Sequence, residues 1–388
     1  MRRVKLKDVA EITGGSTPKT KVEEYWNGDI VWLSPTDLPD IGEITTISDS
    51  ARKITEEGLN SCSAKLLPVG AVIFSSRASI GKIGINEVPV ATNQGFINFI
   101  CGEDIYNRYL TYTLKYFTED IVQLSNSTTF KEVSRTAVKN FEIPLPSLSE
   151  QKAIVAKLDR AQRLIDIDRE MLAKYDELIQ SVFLEMFGDV FSDKTKTPFE
   201  DHLEIKHGYA FKSKWFDEEG DVPVVKIGTV NKSNVDFSEV QFLDYSYAEE
   251  YERFKVFPGD LLLSMTGTVG KDDYANPCIM TDDYDFYLLN QRVVKLNYDE
   301  KVFTKSFLYH FFKQDHVKRE LTKFSRGIRQ ANLSNKDIYG LSFQKPDFDK
   351  QLQFEVLCDK VEKEKKLLKT STKKSEELFS SLVQGVFG

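Results

Sequence analysis

At 388 residues, 41% of them apolar and 12% aromatic, the chain is long enough for two or three globular domains with real cores. No run approaches the ~18 consecutive apolar residues of a membrane helix. The four cysteines are scattered without a CxxC pair and there are four histidines, which argues against a disulfide framework or a zinc site. The net charge of −8 speaks against a free-standing nucleic-acid binder, whose contact surface is usually basic, so any such contact has to rest on local patches or on a basic partner.

The start, MRRVKLKDVAEI, carries charge but no apolar segment of the kind that directs secretion, and a cytoplasmic location without a membrane is expected. Residues 1–148 read as strand-rich: the bursts AVIFSS (71–76) and GFINFI (95–100) are bounded by Gly and Pro, as short strands are. NRYLTYTLKYF (107–117) reads as a helix. At PLPSLSEQKAIVAKLD (144–159) the pattern changes: Pro144 and Pro146 hold the chain extended, and Ser149 before Glu150 and Gln151 supplies a helix cap. Over 149–188 a heptad seam runs through Ile154, Leu158, Ala161, Ile165, Leu172, Tyr175, Ile179, Val182 and Met186, with one polar interruption at Asp168. Leu164, Met171, Leu178 and Phe183 widen that stripe, which predicts more than one neighbour for the helix.

Residues 189–346 return to short strands, such as DLLLSM (260–265) and RVVKL (292–296), followed by the helical KSFLYHFFKQDHVKREL (305–321). A second helix is expected over 347–388, with Phe354, Cys358, Val361, Leu368, Phe379, Leu382 and Val386 on its seam and Lys365, Thr372 and Ser375 weakening it. A helix near 40 residues spans about 60 Å. Each exposes an apolar face alone, so the two are expected to pair.

The chain repeats itself. Shifted by 200 residues, Glu177, Leu178, Ser181, Phe187 and Gly188 meet Glu377, Leu378, Ser381, Phe387 and Gly388, and Pro146, Gln151 and Asp159 meet Pro346, Gln351 and Asp359. LPVGAVIFSSRASIGK (67–82) lies on FPGDLLLSMTGTVGK (257–271), Asn93-Gln94 on Asn290-Gln291, and EITGGSTPK (11–19) on EIKHGYAFK (204–212). One unit, a strand-rich part followed by a long helix, is used twice.

This arrangement, with the PLPSLSEQKAIVAKLD start, the GGSTPK segment and the Gly…Ser…Gly-Lys positions, resembles the DNA-specificity subunit of Type I restriction-modification systems. The resemblance implies an α+β fold of two similar mixed α/β target-recognition domains (1–148 and 189–346). Two long conserved helical regions (149–188 and 347–388) would separate them and form an antiparallel coiled coil, giving a pseudo-twofold internal repeat. It implies a non-catalytic subunit that binds double-stranded DNA at a bipartite, asymmetric site and docks two methyltransferase subunits, with restriction subunits joining. No cofactor is expected in this chain: S-adenosylmethionine belongs to the methyltransferase partner, and ATP and Mg to the restriction partner. The residues expected on the partner-docking coiled coil are Gln151, Ile154, Leu158, Ile165, Leu172 and Ile179, then Gln351, Phe354, Val361, Leu368, Phe379 and Leu382. Lys350, which stands where the first helix has Glu150, departs from the pattern.

Base readout needs forked donors and amides. The candidates in the first domain are Thr17, Lys19, Ser76, Arg77, Lys82, Thr128, Thr129 and Lys131. In the second they are Lys212, Met265, Thr266, Lys271, Arg326, Arg329 and Gln330, with Arg326 and Arg329 inside a basic stretch over 313–329 and Gln330 just after it. Asn93-Gln94 and Asn290-Gln291, being shared, are assigned to scaffold or phosphate positioning, because features common to both copies cannot distinguish unlike half-sites. Two other readings stand beside this one. A coiled-coil scaffold without DNA specificity would use the helices alone. A stand-alone cytosine methyltransferase would use the Pro-Cys at 277–278, with Cys278 as nucleophile, but no glycine-rich cofactor loop accompanies it, and Gly-Lys at 81–82 and 270–271 lacks the context of a P-loop.

Overall fold

Short apolar runs between Gly and Pro turns become strands where the pattern places them. The computed structural model describes residues 2–41, 43–125, 132–188, 197–230, 235–238, 240–268, 274–322, 330–344 and 346–388. They fall into two units by contact, Met1–Arg169 with Thr370–Gly388, and Glu170–Lys369. Each unit thus takes part of both long helices instead of leaving them as separate modules.

In the first unit a five-stranded sheet runs in the order Ala10–Gly14, Phe96–Cys101, Val72–Ser75, Ile83–Asn86, Ile44–Ile47, antiparallel except for the last pair. Val72–Ser75, in the middle, is buried at all four positions, which is why it reads as a continuous apolar run and not as an alternation. A second sheet joins Arg52–Ile54, Trp26–Leu33 and Val90–Thr92, and Arg3–Lys5 pairs with Glu142–Pro144.

The second unit repeats this plan. Leu203–His207, Val293–Tyr298, Leu261–Ser264 and Pro277–Ile279 form an antiparallel sheet in that order. Gln241–Leu243, Val222–Val225 and Tyr287–Leu289 form the second, extended by Lys255–Val256, and Thr197–Pro198 pairs with Ser342–Phe343. The turns correspond in detail. Gly70 and Gly259 both take left-handed backbone, φ 85° and 84°, and their N–H groups donate to Asn86 and Met280 at 2.8 Å each. Only glycine adopts that conformation freely, so the shared residue follows from the turn.

The long helices span Leu148–Phe187 and Phe348–Phe387. The first begins one residue earlier than expected, and its cap is Ser147, not Ser149. The Ser147 N–H and hydroxyl donate to Glu150 Oε2 at 2.8 and 2.7 Å, a reciprocal cap that ties down the first turn. In the second helix Asp347 does this alone, its Oδ1 accepting from the N–H groups of Asp349 and Lys350 at 2.8 and 3.3 Å. Lys350 therefore costs the cap nothing, because the acceptor has moved to the preceding loop.

Gln151 and Gln351 stand in the coiled-coil set, but each is fully buried against its own domain. Gln151 Oε1 accepts from the Tyr106 N–H at 2.8 Å, and its Nε2 donates to the carbonyls of Asp104 and Pro146 at 2.9 Å each. Gln351 repeats this with Thr304 N–H (3.0 Å), Val302 O (2.9 Å) and Pro346 O (3.4 Å). The glutamine fastens helix start, incoming loop and domain helix together. A side chain so enclosed cannot face a partner.

Within the first unit Val155 and Leu158 of the first helix and Phe387 of the second join the core around Phe74, Phe99, Tyr109 and Leu114. Asp159 accepts from Tyr112 (2.7 Å) and Arg108 (2.6 Å), Tyr112 also meets the Phe379 ring, and Arg169 pairs with Glu376 (2.9 Å). Within the second unit Ile179 and Phe183 meet Phe354, Cys358 and Val361 around Phe307 and Phe311. In each unit the two helical segments run antiparallel, since partners move down one helix as they move up the other. Leu158, Ile165, Ile179, Phe354 and Val361 are buried, and Ile154, Leu172, Leu368, Phe379 and Leu382 are half-buried, as a seam requires. Lys365 on that seam bonds Asp176 at 2.9 Å and Glu362 at 2.8 Å; burial alone would lower its pKa, but these two carboxylates outweigh it and raise it. Leu164, Met171 and Leu178, at 51%, 40% and 45% exposed, face outward, whereas Phe183 is fully buried. Among the described residues no helix is long and apolar enough to cross a membrane.

Candidate nucleic-acid interface

The motifs singled out in the first half converge at one end of its sheets. Gly15 runs so close to the neighbouring strand that a Cβ there would lie 2.0 Å from the Asn93 carbonyl oxygen and 2.2 Å from that of Thr92. The loop beyond it is then pinned: the Ser16 N–H donates to Thr92 O at 2.8 Å, and the indoles of Trp32 and Trp26 donate to Ser16 O and Lys19 O at 3.1 and 3.3 Å. Thr17 Oγ1 donates to Gln94 Oε1 at 2.5 Å. Arg52 stacks on Trp26 at 3.7 Å and holds the indole from behind.

Beside this loop, the Ser76 N–H donates to Gly95 O at 2.8 Å, and Ser76 O accepts from the Val133 N–H at 2.9 Å. Arg77, one residue on, forms an isolated bridge with Glu132, and its Nε lies 3.7 Å from Glu132 Oε2, both side chains about half exposed. Ala78 takes a left-handed conformation (φ 59°) and the Gly81 N–H returns to Ser75 O at 3.1 Å, so Arg77–Ser79 projects as a tight, exposed loop.

The second unit builds the same frame from other side chains. A Cβ on Gly208 would lie 2.2 Å from Asn290 O, as on Gly15 against Asn93. The Met265 N–H donates to Arg292 O at 2.8 Å and Met265 O accepts from Leu333 at 2.8 Å, matching Ser76 with Gly95 and Val133 bond for bond. Thr266 pairs with Asn332 as Arg77 does with Glu132, and here Thr266 Oγ1 donates to Asn332 Oδ1 at 3.1 Å. Around the equivalent of the GGSTPK loop the pair of indoles gives way to a larger aromatic cluster of Tyr209, Phe211, Trp215, Tyr251 and Phe254.

Of the candidate readers, Lys19, Arg77 and Lys212 are exposed and Thr17 is half-buried. Ser76, Met265 and Thr266 are buried and serve the frame, which corrects their assignment as direct contacts. Lys82 donates to Leu38 O at 3.1 Å with its side chain 15% exposed, and would have to leave that bond to reach a phosphate. Thr128, Thr129, Lys131, Lys271, Arg326 and Arg329 lie outside the described residues. Gln330 opens the strand Gln330–Asn332. Sequence reasoning missed Glu132 and Asn332; their signal was their place just before the Ser134 and Ser334 helix caps, 200 residues apart. Cys278 is fully buried in its strand, and burial pushes its thiol up to about 12, so it stays protonated and unreactive. Among the described residues no His, Cys, Asp and Glu group could hold a metal ion.

The model for the Type I restriction modification DNA specificity domain matches residues 1–174 and 192–374. The chain belongs to that family. Its two matched segments fall on the two copies of the repeat. Similar members include the MjaIX specificity subunit of Methanocaldococcus jannaschii, 39% identical over 191 residues (49% of this chain, 43% of the relative). Another is the EcoR124I/EcoR124II specificity subunit of Escherichia coli, 32% identical over 192 residues (48% and 46%). The chain thus spans about half the length of these two relatives. The MjaVIII specificity subunit of M. jannaschii matches 97% of this chain and 88% of its own length at 22% identity. Among solved structures, a chain of a type I R-M system covers 99% of this chain with a TM-score of 0.60 at 17% identity. An S subunit from M. genitalium covers 100% with 0.52 at 15%. At these identities the likeness is one of fold.

Proposed function

We propose that the chain is the non-catalytic, sequence-specific DNA-binding subunit of a Type I restriction-modification complex, each unit reading one half of a bipartite, asymmetric site. The observation that carries this reading is the duplicated frame with unlike tips. Backbone bonds at Ser76 and Met265 match, while Arg77 and Glu132 in one unit become Thr266 and Asn332 in the other. A frame repeated with different exposed chemistry suits two readers of different sequences.

The internal repeat is pseudo-twofold, and its two long helices form an antiparallel coiled coil whose length sets the spacer between half-sites. The antiparallel packing within each unit supports this. The outward Leu164, Met171 and Leu178 offer two methyltransferase subunits an apolar stripe, and restriction subunits join that core. S-adenosylmethionine is bound by the methyltransferase partner, and ATP and Mg by the restriction partner. Partners also supply much of the phosphate neutralisation that a chain of net charge −8 does not. The assembly works in the cytoplasm.

Mapping methylated bases in cells that carry the methyltransferase partner, with and without this chain, tests the reading. A split motif with two unlike halves, present only with the chain, is the expected result. A methylome that does not change when the chain is removed contradicts it and favours the scaffold.

A further inference from the structure

We propose that the paired positions Arg77–Glu132 and Thr266–Asn332 are a specificity switch: the first pair reads a G·C base pair in one half-site, and the second reads an A·T base pair at the corresponding place in the other. The inference rests on the DNA-reading assignment above and deepens it to named residues and bases.

The two pairs occupy one position of a duplicated frame. The residue before each, Ser76 or Met265, donates its N–H to the residue after the Asn-Gln pair (Gly95, Arg292) and accepts from the residue after each partner (Val133, Leu333). Four backbone bonds of 2.8–2.9 Å therefore fix Arg77 against Glu132 and Thr266 against Asn332 in the same register. The frame bonds at Ser76 and Met265 are shared, and beyond them the paths differ, Arg77–Ser79 forming a loop and Thr266–Thr268 a strand on Gln330–Asn332. At the paired positions themselves the side-chain chemistry is what distinguishes the units.

That chemistry is complementary to different base pairs. Arg77 is exposed, and among the described residues Glu132 is its only ion partner, approached through Nε at 3.7 Å. The two terminal nitrogens supply a donor pair that matches guanine O6 and N7, and Glu132 matches the cytosine amino group as an acceptor. The exposed contact with Glu132 also biases the orientation of the guanidinium before DNA arrives. In the second unit the exposed member is Asn332, and Thr266, 5% exposed, is a positioning residue. Its hydroxyl donates to Asn332 Oδ1 and so positions the amide. Oδ1 keeps a lone pair for the adenine amino group, and Nδ2 is presented to N7.

The test transplants the second pair into the first unit. Methylated bases are mapped in cells co-expressing the methyltransferase partner with the full chain, wild-type or carrying Arg77→Thr with Glu132→Asn. The expected result is a change at one position of one half-site, from G·C to A·T, with the other half unchanged. An unchanged motif overturns the proposal, as does a change in both halves. A wild-type methylome with no split motif dependent on the chain overturns the DNA-reading assignment itself, a different outcome from a split motif insensitive to the swap. If the double variant does not accumulate, Arg77→Gln, a single change of an exposed side chain, is compared with wild-type for methylation of sites with G·C or A·T at that position. The preference for G·C falls by about 5- to 150-fold if Arg77 reads guanine; an unaltered preference overturns the proposal.

Discussion

The two units share a backbone and differ in how they meet the long helices. In the second unit the junction is aromatic: Phe183 stacks on Phe307 at 5.5 Å, Phe187 and Phe354 close around it, and His310 lies at the edge. In the first, Val383 stands 200 residues from Phe183 and Tyr112 stands 198 residues from His310; Phe387 stacks on Tyr116 at 5.4 Å, but the contact is partly polar, with Arg108 and Tyr112 both bonded to Asp159. What stays constant is the glutamine fastener and the glycine approach. Side-chain packing has drifted while backbone geometry has been kept, which is what a duplicated scaffold needs if its two tips are to specialise.

The largest expected effect tests the packing difference. Phe183→Ala should destabilise the chain by about 3–5 kcal/mol, because a fully buried ring leaves a cavity among other rings. Val383→Ala, at the matching but half-buried place, should cost about 1 kcal/mol. Urea unfolding of the two variants checks this, and equal losses would break the comparison.

The shared fastener predicts the opposite, equality. Gln151→Ala and Gln351→Ala each leave one N–H and two carbonyls without their buried partner, and each should cost about 2–4 kcal/mol. A clear difference in midpoint between the two would show that one helix is held by something else.

The smallest effect concerns pH. Burial, with help from the charges of Lys313 and Lys365 and against the pull of Asp176, lowers the His310 pKa from 6.5 to about 3. The unfolded chain takes up a proton below about pH 6.5 that the folded chain refuses. The associated stability is therefore full above that pH and drains as pH falls toward 3. Between pH 7 and pH 5 the wild-type should lose about 1–2 kcal/mol more than His310→Phe. Tyr112, at the matching place in the first unit, has no charge to gain over this range. Unfolding curves of the two proteins at both pH values decide it.

Much of this was legible in the sequence. The 200-residue shift, the strand bursts between Gly and Pro, and both long helices come from periodicity, which reports which residues leave water. The glutamine fastener was misread because a polar residue at the head of a seam looks like a surface group. Its burial depends on carbonyls of a loop some 45 residues upstream, which spacing cannot reveal. Ser76, Met265 and Thr266 were expected to be exposed and are buried, since a strand ending in a loop no longer alternates cleanly. Glu132 and Asn332 carried a signal in their place before the two helix caps, but what they face became visible only through the backbone bonds that set them opposite Arg77 and Thr266.

The central claim is that each unit reads its half-site independently on a common frame. It is tested most directly by replacing residues 197–344 with the corresponding segment of another family member and mapping the methylated bases in cells. The account predicts that one half of the split motif changes and the other half, with the methyltransferase activity, is kept. A motif that changes in both halves, or in neither, would contradict it.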